Sequence, residues 1–79
     1  MLEPQWVLRA DPIGTRVYIH TTAVDAVCRP LVDVEAWQPI YGCAARDPSI
    51  DLCIIYLPPD APQWLVDHEN KHCDGYDHT

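Results

Sequence analysis

One segment near the end of the chain constrains the fold most, because its histidine spacing suits a helix followed by a return of the backbone. Residues 68–78 read His-Glu-Asn-Lys-His-Cys-Asp-Gly-Tyr-Asp-His. His68 and His72 lie four residues apart, so both imidazoles project from the same face of a helix. Gly75 can adopt the left-handed conformation that ends a helix. The chain then turns back and brings His78 towards the same point.

This histidine set predicts a zinc site. Three protein ligands leave a fourth tetrahedral position open for water, as in catalytic zinc sites. We therefore expect His68, His72 and His78 to bind one Zn²⁺ ion, which would activate a water and polarise a carbonyl group. Glu69 follows the first ligand along the helix, so its carboxylate is placed to take a proton from that water. Glu69 is accordingly the candidate catalytic residue, as general base.

The same segment resembles the zinc-binding motif of the metzincin clan of metallopeptidases, HExxHxxGxxH, and matches every fixed position of it. The resemblance implies a zinc-dependent peptidase that acts on a peptide or protein substrate, with His68, His72 and His78 as ligands and Glu69 as general base. It also implies a small zincin-like core, in which an edge strand beside the helix binds extended substrate. Metzincins carry a Met-containing turn after the third histidine, whereas the only Met here is Met1. We therefore expect the floor and one wall of a metzincin site to be absent.

Two other functions remain open. A non-catalytic binding module would use zinc as a structural clip, because the free energy of metal binding adds to that of folding. Residues 75–78, Gly-Tyr-Asp-His, are also similar to the end of the YbeY-type endoribonuclease motif, HGxxHxxGYDH, although that family has Gly at the position of Glu69. The chain has 12 Asp and Glu against 5 Lys and Arg, a net charge of −7. Nucleic-acid surfaces need basic residues, so no nucleic-acid partner is expected. A homodimer or another partner could complete the site.

The remaining pattern predicts a single domain over residues 1–79 of the α+β class. We expect strands over 6–9 and 15–20, a short helix over 23–28, a hairpin of 40–45 and 52–57 around Pro48, and a C-terminal metal-binding helix. The sheet is predicted to be small and either mixed or antiparallel, with 52–57 or 40–45 as the substrate-binding edge. In the last helix, Asp60 is the predicted N-cap and Trp64 the predicted anchor to the sheet.

Four cysteines, at positions 28, 43, 53 and 73, permit two disulfides. The N-terminal residues lack the basic and apolar regions of a signal peptide, and no apolar run approaches the roughly 20 residues of a membrane span. We therefore expect a cytoplasmic protein, not associated with membranes, whose buried thiols are reduced. If disulfides form, Cys43 and Cys53 are a candidate pair, because a hairpin centred on Pro48 places them opposite each other.

Overall fold

In a computed structural model, which describes residues 5–78, the predicted elements occur in the predicted order and are followed by a short strand that was not predicted. They are β1 (Trp6–Leu8), β2 (Thr15–His20), α1 (Val24–Cys28), β3 (Cys43–Asp47), β4 (Leu52–Leu57), α2 (Gln63–Cys73) and β5 (Tyr76–His78), with 3-10 turns at Arg29–Leu31 and Pro48–Ile50. The α+β class, the short first helix and the hairpin are confirmed. Residues 1–4 and 79 of the predicted domain lie outside the described residues.

The main sheet has three strands in the order β2–β4–β3. The central strand β4 pairs in parallel with β2 and antiparallel with β3, so the sheet is mixed. The proposal that residues 52–57 form a substrate-binding edge is therefore wrong, because both sides of β4 are paired. The other candidate, 40–45, overlaps β3, which is an edge strand.

The register of the β3–β4 hairpin differs from a hairpin centred on Pro48. Cys43 lies opposite Tyr56, and Cys53 lies opposite Arg46. The turn runs through the 3-10 segment to Asp51, whose φ of 51° is left-handed. This conformation moves the centre of the hairpin towards the start of β4, so Cys43 and Cys53 do not face each other.

The core lies between β4 and α2. Alternate side chains of β4, those of Cys53, Ile55 and Leu57, are fully buried, as expected where one face of a strand packs on a helix. Leu65 and Cys73 of α2, together with Ile13, complete this cluster. The helix that carries two predicted ligands is thus fixed on the central strand.

Two disulfides join the sheet to the helices. Cys28 at the end of α1 bonds to Cys43 at the start of β3, and Cys53 of β4 bonds to Cys73 at the end of α2. The expectations of reduced thiols and of a Cys43–Cys53 pair are therefore wrong. Each strand cysteine meets a helix cysteine across the core instead of its hairpin neighbour. Within residues 5–78, neither helix has the length and hydrophobicity needed to cross a lipid bilayer.

Candidate metal centre

The helix that carries two candidate ligands, α2, begins later than predicted. Pro62 occupies its N-cap position without a side-chain cap, so Asp60 is not the cap. A residue before proline is pushed out of the α region, and Ala61 therefore cannot extend the helix backwards. The helix instead starts at Gln63 and runs without interruption to Cys73.

One stripe of α2 faces the sheet, and the histidines lie beside it. Leu65, Glu69 and Cys73, spaced four residues apart, are 4%, 5% and 0% exposed. His68 and His72 are half-buried on the neighbouring stripe. The prediction that Trp64 anchors the helix is wrong, since its side chain is 64% exposed. The stripe that starts at Leu65 faces the sheet, so position 64 lies on an exposed side of the helix.

The third histidine lies on a strand that turns back over the helix. Gly75 makes this turn with a φ of 98°. Its carbonyl oxygen accepts hydrogen bonds from the backbone N–H groups of Arg9 and Ala10 at 2.8 and 3.1 Å. Beyond it, β5 pairs antiparallel with β1, so that Trp6 lies opposite His78. The return of the chain is as predicted, and the N-terminal strand β1 holds it in place.

The three imidazoles converge as the spacing predicts. One ring nitrogen each of His68, His72 and His78 lies within 4.8 Å of the other two, and the ring centroids are 5.0 to 5.2 Å apart. Tetrahedral zinc with Zn–N bonds of about 2.1 Å separates its ligand nitrogens by roughly 3.4 Å. The rings therefore need to close by only about an ångström to share one ion. A set of three imidazoles fits Zn²⁺ in chemistry as well as in geometry.

A backbone carbonyl lies within hydrogen-bond distance of one candidate ligand. Nδ1 of His72 lies 3.1 Å from the carbonyl oxygen of Tyr76. If Nδ1 carries the proton and donates it to this oxygen, the lone pair of Nε2 is free for a metal ion. Hydrogen bonds of this kind to the outer nitrogen of a metal-binding histidine hold the ring and its tautomer in place.

Burial keeps two of the candidate ligands neutral. It lowers the pKa of His68 and of His72 below the ordinary 6.5, and the charges of the neighbouring imidazoles add to this effect. The neutral form is the one that binds a metal ion. Both rings are therefore available at neutral pH without first losing a proton.

The pH dependence of zinc affinity follows from these shifts. We expect the affinity to be nearly constant between about pH 7 and 8 and to fall with increasing slope below about pH 6.5, as protons compete with zinc for the imidazoles. The lowered pKa of His68 and His72 places the decline below the ordinary histidine range. Competition with a chelator of known affinity measures it. An affinity that stays flat down to about pH 5 would contradict histidine ligation.

Glu69 lines the same cavity as the three histidines and is buried, which is unusual for a helix glutamate. Burial raises the pKa of its carboxyl to about 7. Such a group exchanges its proton readily at neutral pH, as a general base must. A Cβ on Gly42 would lie 3.3 Å from Oε2 of Glu69. The absence of a side chain at Gly42 therefore leaves room for the carboxylate.

The three histidines and Glu69 open into one cavity of about 790 Å³. One wall comes from α2 and β5, and another from residues 31–34 and 39–44. The second wall carries the apolar side chains of Leu31, Val34, Ile40 and Tyr41. Because Cys43 and Ala44 belong to it, the start of edge strand β3 borders the cavity.

The sequence did not identify three further parts of the centre. They are the ring of Trp6, the carbonyl of Tyr76 and the empty side-chain position at Gly42. A tryptophan in a short N-terminal strand gives no local signal that it lies against a motif at the other end of the chain. The pairing of β1 with β5 creates that contact, and such long-range pairing is not visible in periodicity.

Fold and site together define a small α+β protein in which two disulfides link strands to helices and a three-histidine cluster lines an open cavity. Compared with models of known protein families, with curated proteins and with solved structures, the chain matches none. Interpretation of the site therefore depends on its own chemistry and geometry.

Gly75 is predicted to be essential for placing His78. A Cβ at this position would lie 1.9 Å from the carbonyl oxygen of Ala10, and its φ of 98° is strained for any other residue. We expect Gly75→Ala to lower the free energy of unfolding by more than about 2 kcal/mol, since the left-handed conformation alone costs roughly 1–2. Gly14→Ala is the matched control, because its Cβ would meet nothing closer than 3.6 Å. Urea unfolding compares them, and equal stability of the two variants would contradict the assignment.

The Cys53–Cys73 disulfide is expected to support both stability and metal binding. Replacing both residues with Ala removes a bridge between positions 20 residues apart, which corresponds to roughly 3 kcal/mol of unfolding free energy. Zinc affinity should also fall, because the last turn of α2 carries His72.

The other disulfide provides the control. Replacing Cys28 and Cys43 with Ala removes a bridge between positions 15 residues apart, and neither residue lies on α2. We expect a similar loss of stability with little change in zinc affinity. Urea unfolding without metal and chelator competition measure the two quantities. Equal zinc affinity in the two double variants would contradict a specific role of the Cys53–Cys73 bond.

Proposed function

We propose that this protein is a zinc-dependent hydrolase that cleaves peptide bonds. The observation that carries the proposal is the convergence of His68, His72 and His78 in a cavity that also contains Glu69. A bound zinc ion would acidify a water molecule and polarise a substrate carbonyl. The residues of the chain supply the remaining functions of such a site.

Glu69 is the proposed general base and acid. Its buried carboxylate takes a proton from a water molecule in the cavity and then delivers it to the leaving amine. The carbonyl of Tyr76 keeps His72 in the metal-binding orientation. Within residues 5–78, the cluster contains no fourth His, Cys, Asp or Glu ligand. This supports an enzyme over a structural clip, which would close the coordination shell with protein atoms.

The proposed substrate is an extended peptide beside β3. Among residues 5–78, this strand pairs with β4 on one side only, and its first residues border the cavity. A peptide can add to such an edge through backbone hydrogen bonds. The apolar wall at Leu31, Val34 and Tyr41 favours apolar substrate side chains. Sedimentation of the active protein tests the alternative that a homodimer or another partner completes the cavity.

The two disulfides favour an oxidising compartment rather than the cytoplasm expected from the sequence. Structural disulfides persist in extracellular, periplasmic or lumenal environments and are rare in reducing ones. We therefore propose that the hydrolase acts where Cys28–Cys43 and Cys53–Cys73 remain oxidised.

A peptide library tests the proposed activity directly. The zinc-loaded, disulfide-intact protein is incubated with mixed-sequence peptides, and mass spectrometry identifies the products. We expect cleavage that stops when a chelator removes the metal and returns with added Zn²⁺ but not with Mg²⁺. A folded protein that binds zinc and cleaves no peptide would contradict the proposal and favour the structural clip. Cleavage of RNA under the same conditions would favour the endoribonuclease.

A further inference from the structure

One aromatic ring contacts all three candidate ligands. The ring centroid of Trp6 lies 5.1 Å from that of His68, 5.4 Å from His72 and 5.2 Å from His78. All three contacts are edge-to-face, with interplanar angles of 62°, 71° and 81°. Aromatic pairs at about 4.5–7 Å in this arrangement are favourable and directional. The orientation of each imidazole is therefore linked to the position of one indole.

The backbone holds Trp6 against both elements that carry ligands. It lies opposite His78 in the β1–β5 pair, and the hydrogen bonds from Arg9 and Ala10 to Gly75 continue this contact. On the helix side, Nζ of Lys71 lies 6.0 Å from the ring centroid of Trp6. Trp6 thus bridges α2, which carries two ligands, and β5, which carries the third.

We propose that Trp6 is a positioning residue of the metal centre: its ring holds the three imidazoles towards their common point before an ion binds. This inference rests on the proposed zinc site and concerns what preorganises it. Side chains already held in the bound orientation lose less freedom on binding, so metal affinity rises. An apolar ring against the ligands also limits solvent access to one side of the site.

Zinc affinity tests the proposal without any assay of activity. Partners outside the ligand shell typically change metal affinity by about 10- to 100-fold, and we expect a loss in that range for Trp6→Ala. Trp6→Phe, which keeps an aromatic ring, should recover most of it. Trp37→Ala is the matched control, because that side chain is 78% exposed and should leave the affinity unchanged. Chelator competition measures all four proteins.

The spectrum of bound Co²⁺ separates positioning from a general loss of stability. Its visible absorption depends on the geometry of the ligands. We expect Trp6→Ala to change the intensity and position of the bands even when the site is saturated with metal. Trp37→Ala should give the wild-type spectrum. Unchanged affinity and an unchanged spectrum in Trp6→Ala would overturn the proposal.

Fluorescence keeps the proposal testable if Trp6→Ala does not fold. In Trp37→Phe/Trp64→Phe, Trp6 is the only tryptophan left, and bound Cu²⁺ should quench most of its emission in proportion to site occupancy. In Trp6→Phe/Trp64→Phe, the exposed Trp37 should keep its emission. Unquenched Trp6 in a metal-bound protein would overturn the placement of Trp6 beside the metal site.

The failure of this inference can be distinguished from the failure of the proposed function. A wild-type protein that binds no metal would overturn both the positioning role of Trp6 and the zinc function. Zinc binding that depends on Trp6, in a protein that cleaves no peptide, would contradict only the hydrolase.

Discussion

Replacing Glu69 with Gln is expected to reduce the turnover of the zinc-loaded protein by about 10²- to 10⁴-fold, the usual contribution of a general acid–base group. Gln has the same shape but cannot accept the proton. Zinc affinity should stay within about twofold, because Glu69 is not in the ligand cluster. The variant should also fold. Burial disfavours the charged carboxylate and so raises the pKa of the native carboxyl to about 7, but it does not impose this cost on a neutral amide.

The control for this variant is Asp67→Asn. It makes the same acid-to-amide change on the same helix, at an exposed position. We expect its turnover to remain close to that of the wild type. Comparison of kcat and zinc content in the three proteins decides the role of Glu69. Wild-type turnover in Glu69→Gln would remove the catalytic assignment and leave the metal site intact.

Replacing His78 with Ala is expected to weaken zinc binding by more than about 100-fold. Loss of a ligand should lower zinc affinity more than loss of a partner outside the ligand shell, which typically lowers metal affinity by about 10- to 100-fold. The loss should also appear in stability. At a zinc concentration about 1,000 times the wild-type Kd, the ion adds about 4.1 kcal/mol to the unfolding free energy of the wild type. A variant bound 100-fold more weakly would gain only about 1.4 kcal/mol.

His20→Ala is the matched control for the ligand. His20 is the remaining histidine of the chain, is exposed at the end of β2, and lies outside the cluster. Its replacement should leave both zinc affinity and zinc-dependent stabilisation unchanged. Thermal unfolding with and without zinc, together with chelator competition, distinguishes the two variants. Wild-type zinc affinity in His78→Ala would contradict a three-histidine site.

The sequence predicted those parts of the site that depend on local spacing. His68 and His72 share a helix face because of the helical repeat, and Gly75 ends the helix because it tolerates a positive φ. These rules act over a few residues and do not need knowledge of the rest of the fold. These rules place the chain after Gly75 so that it can return towards the helix, and the three rings do converge. The candidate ligand set could therefore be proposed without coordinates, although the pairing that holds His78 in place could not.

The parts that the sequence missed depend on contacts between distant segments. The Cys28–Cys43 and Cys53–Cys73 bonds require the sheet and the helices to be packed first. The contact of Trp6 with the three histidines requires β1 to pair with β5. Helical periodicity also misplaced Trp64, because an apolar stripe of the right spacing can be drawn through position 64 or through Leu65. Packing against β4 buries the stripe that passes through Leu65.

X-ray absorption at the zinc edge tests the central claim most directly. The wild-type protein, loaded with one equivalent of zinc, is predicted to show a first shell of three imidazole nitrogens and one exchangeable oxygen at about 2.0–2.1 Å. The same measurement on His78→Ala should show one imidazole fewer. A shell that contains sulfur, a fourth protein ligand in place of the exchangeable oxygen, or no bound zinc in the wild type would contradict the account.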